Sequence, residues 1–177
     1  MIAIVITGDK NSGKSTFTHT LCSRLDEFGI STGGVIQIPP LPDQDQKEWF
    51  LSDQSTGEVR LLLTTEETQG WPRRGRFSIN LDTFEWAKER LLASAEKYDF
   101  LVVDEIGPLE LEGGGYHEAL VELADRDEID SSVGILLAIV RRELLEKVVE
   151  RYNLEVSQII DVNNPWEEEL DKVVRLE

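Results

Sequence analysis

At 177 residues, with 40% apolar and 30% charged side chains, the chain is expected to form one domain, spanning residues 1–177, that buries about 70% of its unfolded surface. The 35 acidic residues outnumber 18 basic ones, and a net charge of −17 argues against nucleic acid or an anionic membrane as a partner. A single cysteine, Cys22, excludes an internal disulfide and a cysteine-built zinc cluster.

Ile2-Ala3-Ile4-Val5-Ile6 reads as a buried parallel strand, and no leader segment is expected before it. The next stretch, Gly8-Asp9-Lys10-Asn11-Ser12-Gly13-Lys14-Ser15, fits the phosphate-binding pattern G-x-x-x-x-G-K-[ST]. Phe17, Leu21, Leu25 and Phe28 then recur at near-helical spacing up to Gly29, with Cys22 expected as a small buried hydrophobe of that helix. Gly33-Gly34 leads into a strand over Val35 to Ile38. Three prolines between Pro39 and Pro42 make Pro39 to Gln46 an exposed loop. Lys47 to Leu51 and Glu58 to Leu63 flank Asp53-Gln54-Ser55-Thr56-Gly57 as a hairpin, and another strand is expected near Arg76 to Ile79. Asp82, with Glu85 three residues on, reads as the cap of a helix carrying Phe84, Ala87, Leu91 and Ala95 on one face.

Phe100 to Val103 is a buried strand ending at Asp104-Glu105, and Gly107-Pro108 breaks the chain. A helix over Tyr116 to Asp125, a strand over Gly134 to Val140 and a helix from Glu143 to Tyr152 follow. Val156 to Val162 is the last strand, and Asn164-Pro165 opens a terminal helix. Alternating strands and helices predict a three-layer α/β sandwich of the phosphate-loop kind, with a largely parallel sheet and the hairpin as an antiparallel addition. The longest apolar runs, such as Ile135 to Val140, are far short of the ~20 residues a spanning helix needs, so a cytoplasmic protein is expected.

Strand, glycine-rich loop and helix give the phosphate pattern its physical sense. Backbone N–H groups from Gly8 to Thr16 would wrap the β- and γ-phosphates of a nucleoside triphosphate, helped by the positive end of the helix dipole. Lys14 would set a point charge between those phosphates, and the Ser15 hydroxyl would hold Mg²⁺. Asn11 stands where many such loops carry glycine; asparagine reaches positive φ at tolerable cost. Parallel strands end on one edge, so Asp104 is expected near Ser15 as a second Mg²⁺ ligand, through water. Glu105 would orient or deprotonate the attacking water, with Gly107 completing the nucleotide-binding set. Arg141 and Arg142 follow a strand and open a helix, where each cation opposes the dipole by ~0.3–1 kcal/mol. That unfavourable position points to contact with the triphosphate, Arg141 first; a surface pair answered by Glu143 and Glu146 is the alternative. His19 and His117 lack metal-ligand spacing and read as surface residues.

Asp104-Glu105-Ile106-Gly107-Pro108-Leu109-Glu110-Leu111 resembles the second signature of the THEP-type, or cancer-related, nucleoside-triphosphatases. The likeness extends to the loop from Gly8, to Gly33-Gly34, to Asn80 through Glu85 and to Val140-Arg141-Arg142, and is weakest between Pro39 and Gln46. It implies a magnesium-dependent enzyme that hydrolyses ATP, GTP and other triphosphates with loose base selectivity. Asn11, where the family's loop has glycine, is a departure that bears on affinity rather than chemistry. Two other readings stay open: a nucleotide or small-molecule kinase with Arg73 to Arg76 as its lid, and a nucleotide-dependent interaction module using the Pro39 to Gln46 loop. No Asn-Lys-x-Asp base reader is present, leaving Asn163 and Asn164 as candidates for the base edge. Oligomeric state is not legible; a monomer is the default.

Overall fold

A computed structural model describes residues 1–40, 47–130 and 133–174. The first half contains β1 (Ile2–Gly8), α1 (Lys14–Glu27), β2 (Thr32–Ile38), β3 (Glu48–Asp53), β4 (Val59–Thr64), β5 (Arg73–Arg74), β6 (Phe77–Ile79) and α2 (Leu81–Ser94). The second half contains β7 (Phe100–Ile106), a single turn α3 (Pro108–Leu111), α4 (His117–Asp130), β8 (Ile135–Arg141), α5 (Leu145–Arg151), β9 (Glu155–Asp161) and α6 (Trp166–Val174).

These strands make one sheet in the order β5-β6-β4-β3-β2-β7-β8-β1-β9. From β2 to β9 every pairing is parallel, and from β2 outward to β5 every pairing is antiparallel. Period-two alternation in β1 gives both faces a core. Ile4 and Ile6 pack with Phe17 and Leu21 of α1 and Leu170 of α6, whereas Ala3 and Val5 face Leu91 of α2, Leu120 of α4 and Val148 of α5. The three layers follow directly. β2 and β7 approach so closely that a Cβ at Gly34 would lie 2.2 Å from the Val102 carbonyl oxygen, which explains glycine there. In the hairpin turn the buried Asp53 carboxylate accepts from the Ser55 N–H at 2.8 Å and the Thr56 hydroxyl at 3.0 Å, an Asx-type closure.

Several details differ from the sequence reading. α2 is capped by Asn80, not Asp82: the Asn80 amide donates to the Leu61 carbonyl at 3.0 Å and its oxygen accepts from the Thr83 N–H at 3.4 Å. Anchorage on β4 starts the helix two residues early, and Asp82 falls within its first turn. Phe28 follows the end of α1 and is 60% exposed, outside the apolar face. β7 continues through Asp104 and Glu105 to Ile106, and Arg141 is the last residue of β8. A 3₁₀ turn over Arg142–Leu144 separates it from α5, so the opposed-dipole argument for the two arginines loses its basis. The expected loop over Pro39 to Gln46 lies outside the described residues from position 41 onward. Among the described residues, no helix is long and apolar enough to cross a membrane.

Candidate active site

The C-terminal ends of β1, β7 and β8 are neighbours in the sheet, so Gly8, Asp104 and Arg141 arrive at one edge. Between β1 and α1 the loop turns with Asn11 at φ 61° and Gly13 at φ 88°, both left-handed. Asparagine therefore carries the conformation that a glycine would otherwise supply, as its short polar side chain allows. Lys14 is buried at 7% exposure and donates from Nζ to the Asp9 carbonyl at 2.8 Å. The Asp9 side chain points away, meeting Arg142 at 3.4 Å and the Asn163 amide at 3.1 Å; Arg142 also pairs with Asp161 at 2.9 Å. The outer side of the loop is thereby tied to the segments that follow β8 and β9.

Asn11 through Thr16, together with Gln37, Pro39, Trp49 and Glu105, surround a cavity of about 320 Å³. Asp104 lies beneath it at 1% exposure, accepting from the Ser15 hydroxyl and, at 3.1 Å, from the Gln37 N–H. Burial pushes its carboxyl up to about 7, with the Ser15 hydrogen bond opposing and the Glu105 charge adding to the rise. Among the described residues no salt bridge reaches Asp104. Glu105 is the residue at which β7 slips register against β8, Asp104 facing Ile139 and Ile106 facing Val140. The slip re-aims its carboxylate into the cavity mouth. There Arg141 donates from Nε to Glu105 Oε1 at 2.6 Å.

A second cavity, of about 360 Å³, adjoins the first. Gln37 and Glu105 line both. The rest of its wall is largely apolar: Leu62 and Leu63 of β4, Phe77 and Ile79 of β6, Phe84 of α2 and Leu109 of α3. Arg141 and Gly107 border this space rather than the loop cavity. The Gly107 N–H is moreover taken by the Glu110 carboxylate at 2.8 Å, an acceptor that caps α3. Glu110 also accepts from the Tyr116 N–H at 3.3 Å, and burial pushes its carboxyl up to about 7.

The sequence-predicted residues thus divide. Asn11, Ser12, Gly13, Lys14, Ser15, Thr16 and Glu105 converge on one cavity, with Asp104 directly below; Gly8, Asp9 and Lys10 are not in its lining. Arg141 answers Glu105, and Arg142 answers Asp9 and Asp161, so neither is the partner of Glu143 or Glu146 that the surface reading expects. His117 is part-buried, with Nδ1 3.0 Å from the Tyr152 hydroxyl. Cys22 is buried, which pushes its thiol up to about 12. Sequence reasoning missed Gln37, whose backbone N–H and place between the cavities no side-chain pattern announces. It also missed Trp49, read only as a hairpin residue. Arg74 appeared only within an arginine cluster; its partner is Glu112, 38 residues on.

A family model described as NTPase matches residues 3–174. The chain is 32% identical over 154 residues to the nucleoside-triphosphatase THEP1 of Methanothermobacter thermautotrophicus, covering 86% of this chain and 84% of that one. It is 29% identical over 162 residues to the THEP1 of Methanosarcina barkeri, covering 90% and 88%. Among solved structures, THEP1 from the hyperthermophile Aquifex aeolicus superposes with a TM-score of 0.68 at 18% identity, over 97% of this chain and 96% of that one. A human cancer-related nucleoside triphosphatase does so with a TM-score of 0.68 at 19% identity, over 98% and 96%. At that identity the likeness is one of fold.

Proposed function

The chain belongs to the THEP1-type nucleoside-triphosphatase family, and from that premise we propose that it hydrolyses nucleoside triphosphates to diphosphate and phosphate, with Mg²⁺ and little base selectivity. The observation that carries this reading is convergence: loop N–H groups, Lys14, Ser15 and the Glu105 carboxylate meet around one cavity of about 320 Å³. Ser12 Oγ is buried in that lining without a hydrogen-bond partner among the described residues, as expected of a group meant for a phosphate oxygen.

The residues also fit the metal. Their donors are all oxygen, the Ser15 hydroxyl and the Asp104 carboxylate, and that carboxylate is buried with no salt bridge among the described residues, only the nearby charge of Lys14 favouring its ionised form. Among the described residues no cluster of three or more histidine, cysteine or acidic side chains forms a metal cage. A cation that draws most of its ligands from water and phosphate suits such a site. Ser15 and Asp104 would hold Mg²⁺, which would supply positive charge to offset that of the triphosphate.

The loop N–H groups and Lys14 bind and orient the triphosphate, and Lys14 offsets charge as it moves onto the leaving oxygen. Glu105 orients a water in line with the γ-phosphorus and accepts its proton. Arg141, at 2.6 Å, holds the Glu105 carboxylate in that attitude. This makes Arg141 a positioning residue instead of the direct triphosphate contact the sequence suggested.

Asn163, a candidate base reader, spends its amide on Asp9, which favours broad base use. One domain, in the cytoplasm, would suffice for the activity. Phosphate release from ATP, GTP, CTP and UTP with Mg²⁺ should give catalytic efficiencies within about a hundredfold of one another, on the order of 2.7 kcal/mol. A thousandfold preference for one base would refute loose selectivity, and absence of release from all four would refute the hydrolase.

A further inference from the structure

The apolar cavity has a position that packing alone does not account for. Its volume, about 360 Å³, lies in the range of small-molecule sites, and its mix of apolar walls with a few polar groups is the usual composition of one. Leu62 is 1% and Phe84 7% exposed, so the inner wall belongs to the core, while Leu63, Phe77 and Arg74 are half-buried toward an open mouth. The polar groups are Arg74, Arg141, Glu105, Glu110 and the Gln37 segment.

Both arginines have charge partners. Arg141 is matched by Glu105 at 2.6 Å, whereas Arg74 at the rim pairs with Glu112, whose side chain is 64% exposed. A rim pair that open to water holds weakly and exchanges readily for a ligand anion. The antiparallel strands β4 and β6 form the roof, so this space exists only because the sheet was extended past β2.

What gives the cavity chemical meaning is its shared wall. Glu105 faces both spaces, with the phosphate loop on one side and the apolar walls on the other. A molecule seated against Leu63 and Phe77 would therefore present its end to the same carboxylate that would hold the attacking water.

We propose that this cavity is an acceptor site, taking a small organic alcohol with an apolar body and one anionic group, to which the enzyme transfers the γ-phosphoryl group. The anion meets Arg74, the apolar body lies against β4 and β6, and the hydroxyl meets Glu105. The hydroxyl oxygen forms a bond to the γ-phosphorus while the bond from that phosphorus to the β–γ bridging oxygen breaks. The electron pair leaves with the nucleoside diphosphate, and the hydroxyl proton passes to Glu105 and then to solvent. Water in the acceptor's place gives hydrolysis. The proposal rests on the triphosphate reading of the loop cavity and goes beyond it.

The test uses the whole protein with ATP and Mg²⁺, and 4-(hydroxymethyl)benzoate as probe, with benzyl alcohol lacking the anion and benzoate lacking the hydroxyl. Methyl NMR should show probe-dependent shifts at Leu62, Leu63, Ile79 and Leu109, and phosphorus NMR should show a phosphate ester of the probe. At saturating probe the ester should account for more than half of the γ-phosphoryl released. Benzoate should bind without ester forming, and benzyl alcohol should bind at least tenfold more weakly. Leu63→Trp, which fills the cavity, should lower the ester-to-phosphate ratio at least tenfold. Shifts confined to other methyls, or no shifts with any of the three compounds, overturn the site. Binding at these methyls with phosphate as the sole product overturns the acceptor role. Phosphate release without probe is read in the same samples, so failure of the hydrolase reading is seen separately.

Discussion

The two cavities that meet at Glu105 are nearly equal in volume, about 320 and 360 Å³, but are built by opposite means. Six of the residues around the loop cavity are consecutive, Asn11 to Thr16. The apolar cavity is lined from β4, β6, α2 and α3 together with the ends of β2, β7 and β8, between positions 37 and 141. A phosphate needs donors and charge, which one short loop at a helix N-terminus can concentrate. An apolar molecule needs area, which only several elements packed at an angle can provide. The difference teaches that a cavity rich in backbone donors and a cavity with apolar walls are specified at different scales of the chain.

The comparison can be broken first at Lys14. Lys14→Ala should weaken triphosphate binding and lower single-turnover hydrolysis by at least ~10³, since it removes the charge opposite the β- and γ-phosphates. Methyl shifts produced by 4-(hydroxymethyl)benzoate should persist in that variant; their loss would mean that the cavities form one site. Glu105→Gln comes next. It should cut single-turnover hydrolysis by ~10²–10⁴, the range for losing a positioned base, while triphosphate affinity stays within a few-fold. Affinity falling in step with rate would put Glu105 among the metal ligands.

Arg141 sharpens the boundary between them. Arg141→Ala releases the Glu105 carboxylate, and misplacement on the 1 Å scale costs on the order of a hundredfold in turnover. Triphosphate affinity should hardly move. A loss of affinity as large as the loss of rate would restore Arg141 to direct triphosphate contact.

The smallest effect is on stability. Burial raises the Glu110 carboxyl from 4.5 to about 7, so the native protein keeps a proton that the unfolded chain gives up. Stability should therefore fall as pH rises from about 4.5 to about 7 and level off above, by a few kcal/mol at most. Urea unfolding of Glu110→Gln between pH 5 and 8 should show a shallower fall. At pH 5, where the parent carboxyl is protonated in the folded protein, the variant should be less stable by about 1 kcal/mol, because one N–H loses its acceptor, and the gap should close as pH rises. An unchanged slope would show that Glu110 titrates normally.

Much of the fold was legible. The alternation of apolar strands with amphipathic helices announced the parallel sheet, and Asp53 to Gly57 announced the hairpin, because periods of two and of about 3.6 are written in contiguous residues. The cap of α2 was misplaced, since Asp82 and Glu85 carry a local signature that Asn80, anchored on Leu61 of β4, overrides.

For the candidate site, the chain by itself determined the strand, the Gly8 to Ser15 loop and the carboxylate pair Asp104-Glu105 that follows the apolar run of β7. Each is a local pattern whose meaning survives without knowing what lies opposite. Tertiary structure alone decided that Arg141 reaches Glu105 across 36 positions, and that the Gln37 N–H is given to Asp104 across 67. It also decided that the antiparallel strands roof an apolar space beside the loop. The physical reason is strand order: β2 comes early in the chain, yet lies beside β7 and carries β3 to β6 beyond it, and no run of neighbouring residues records which strand will be next to which.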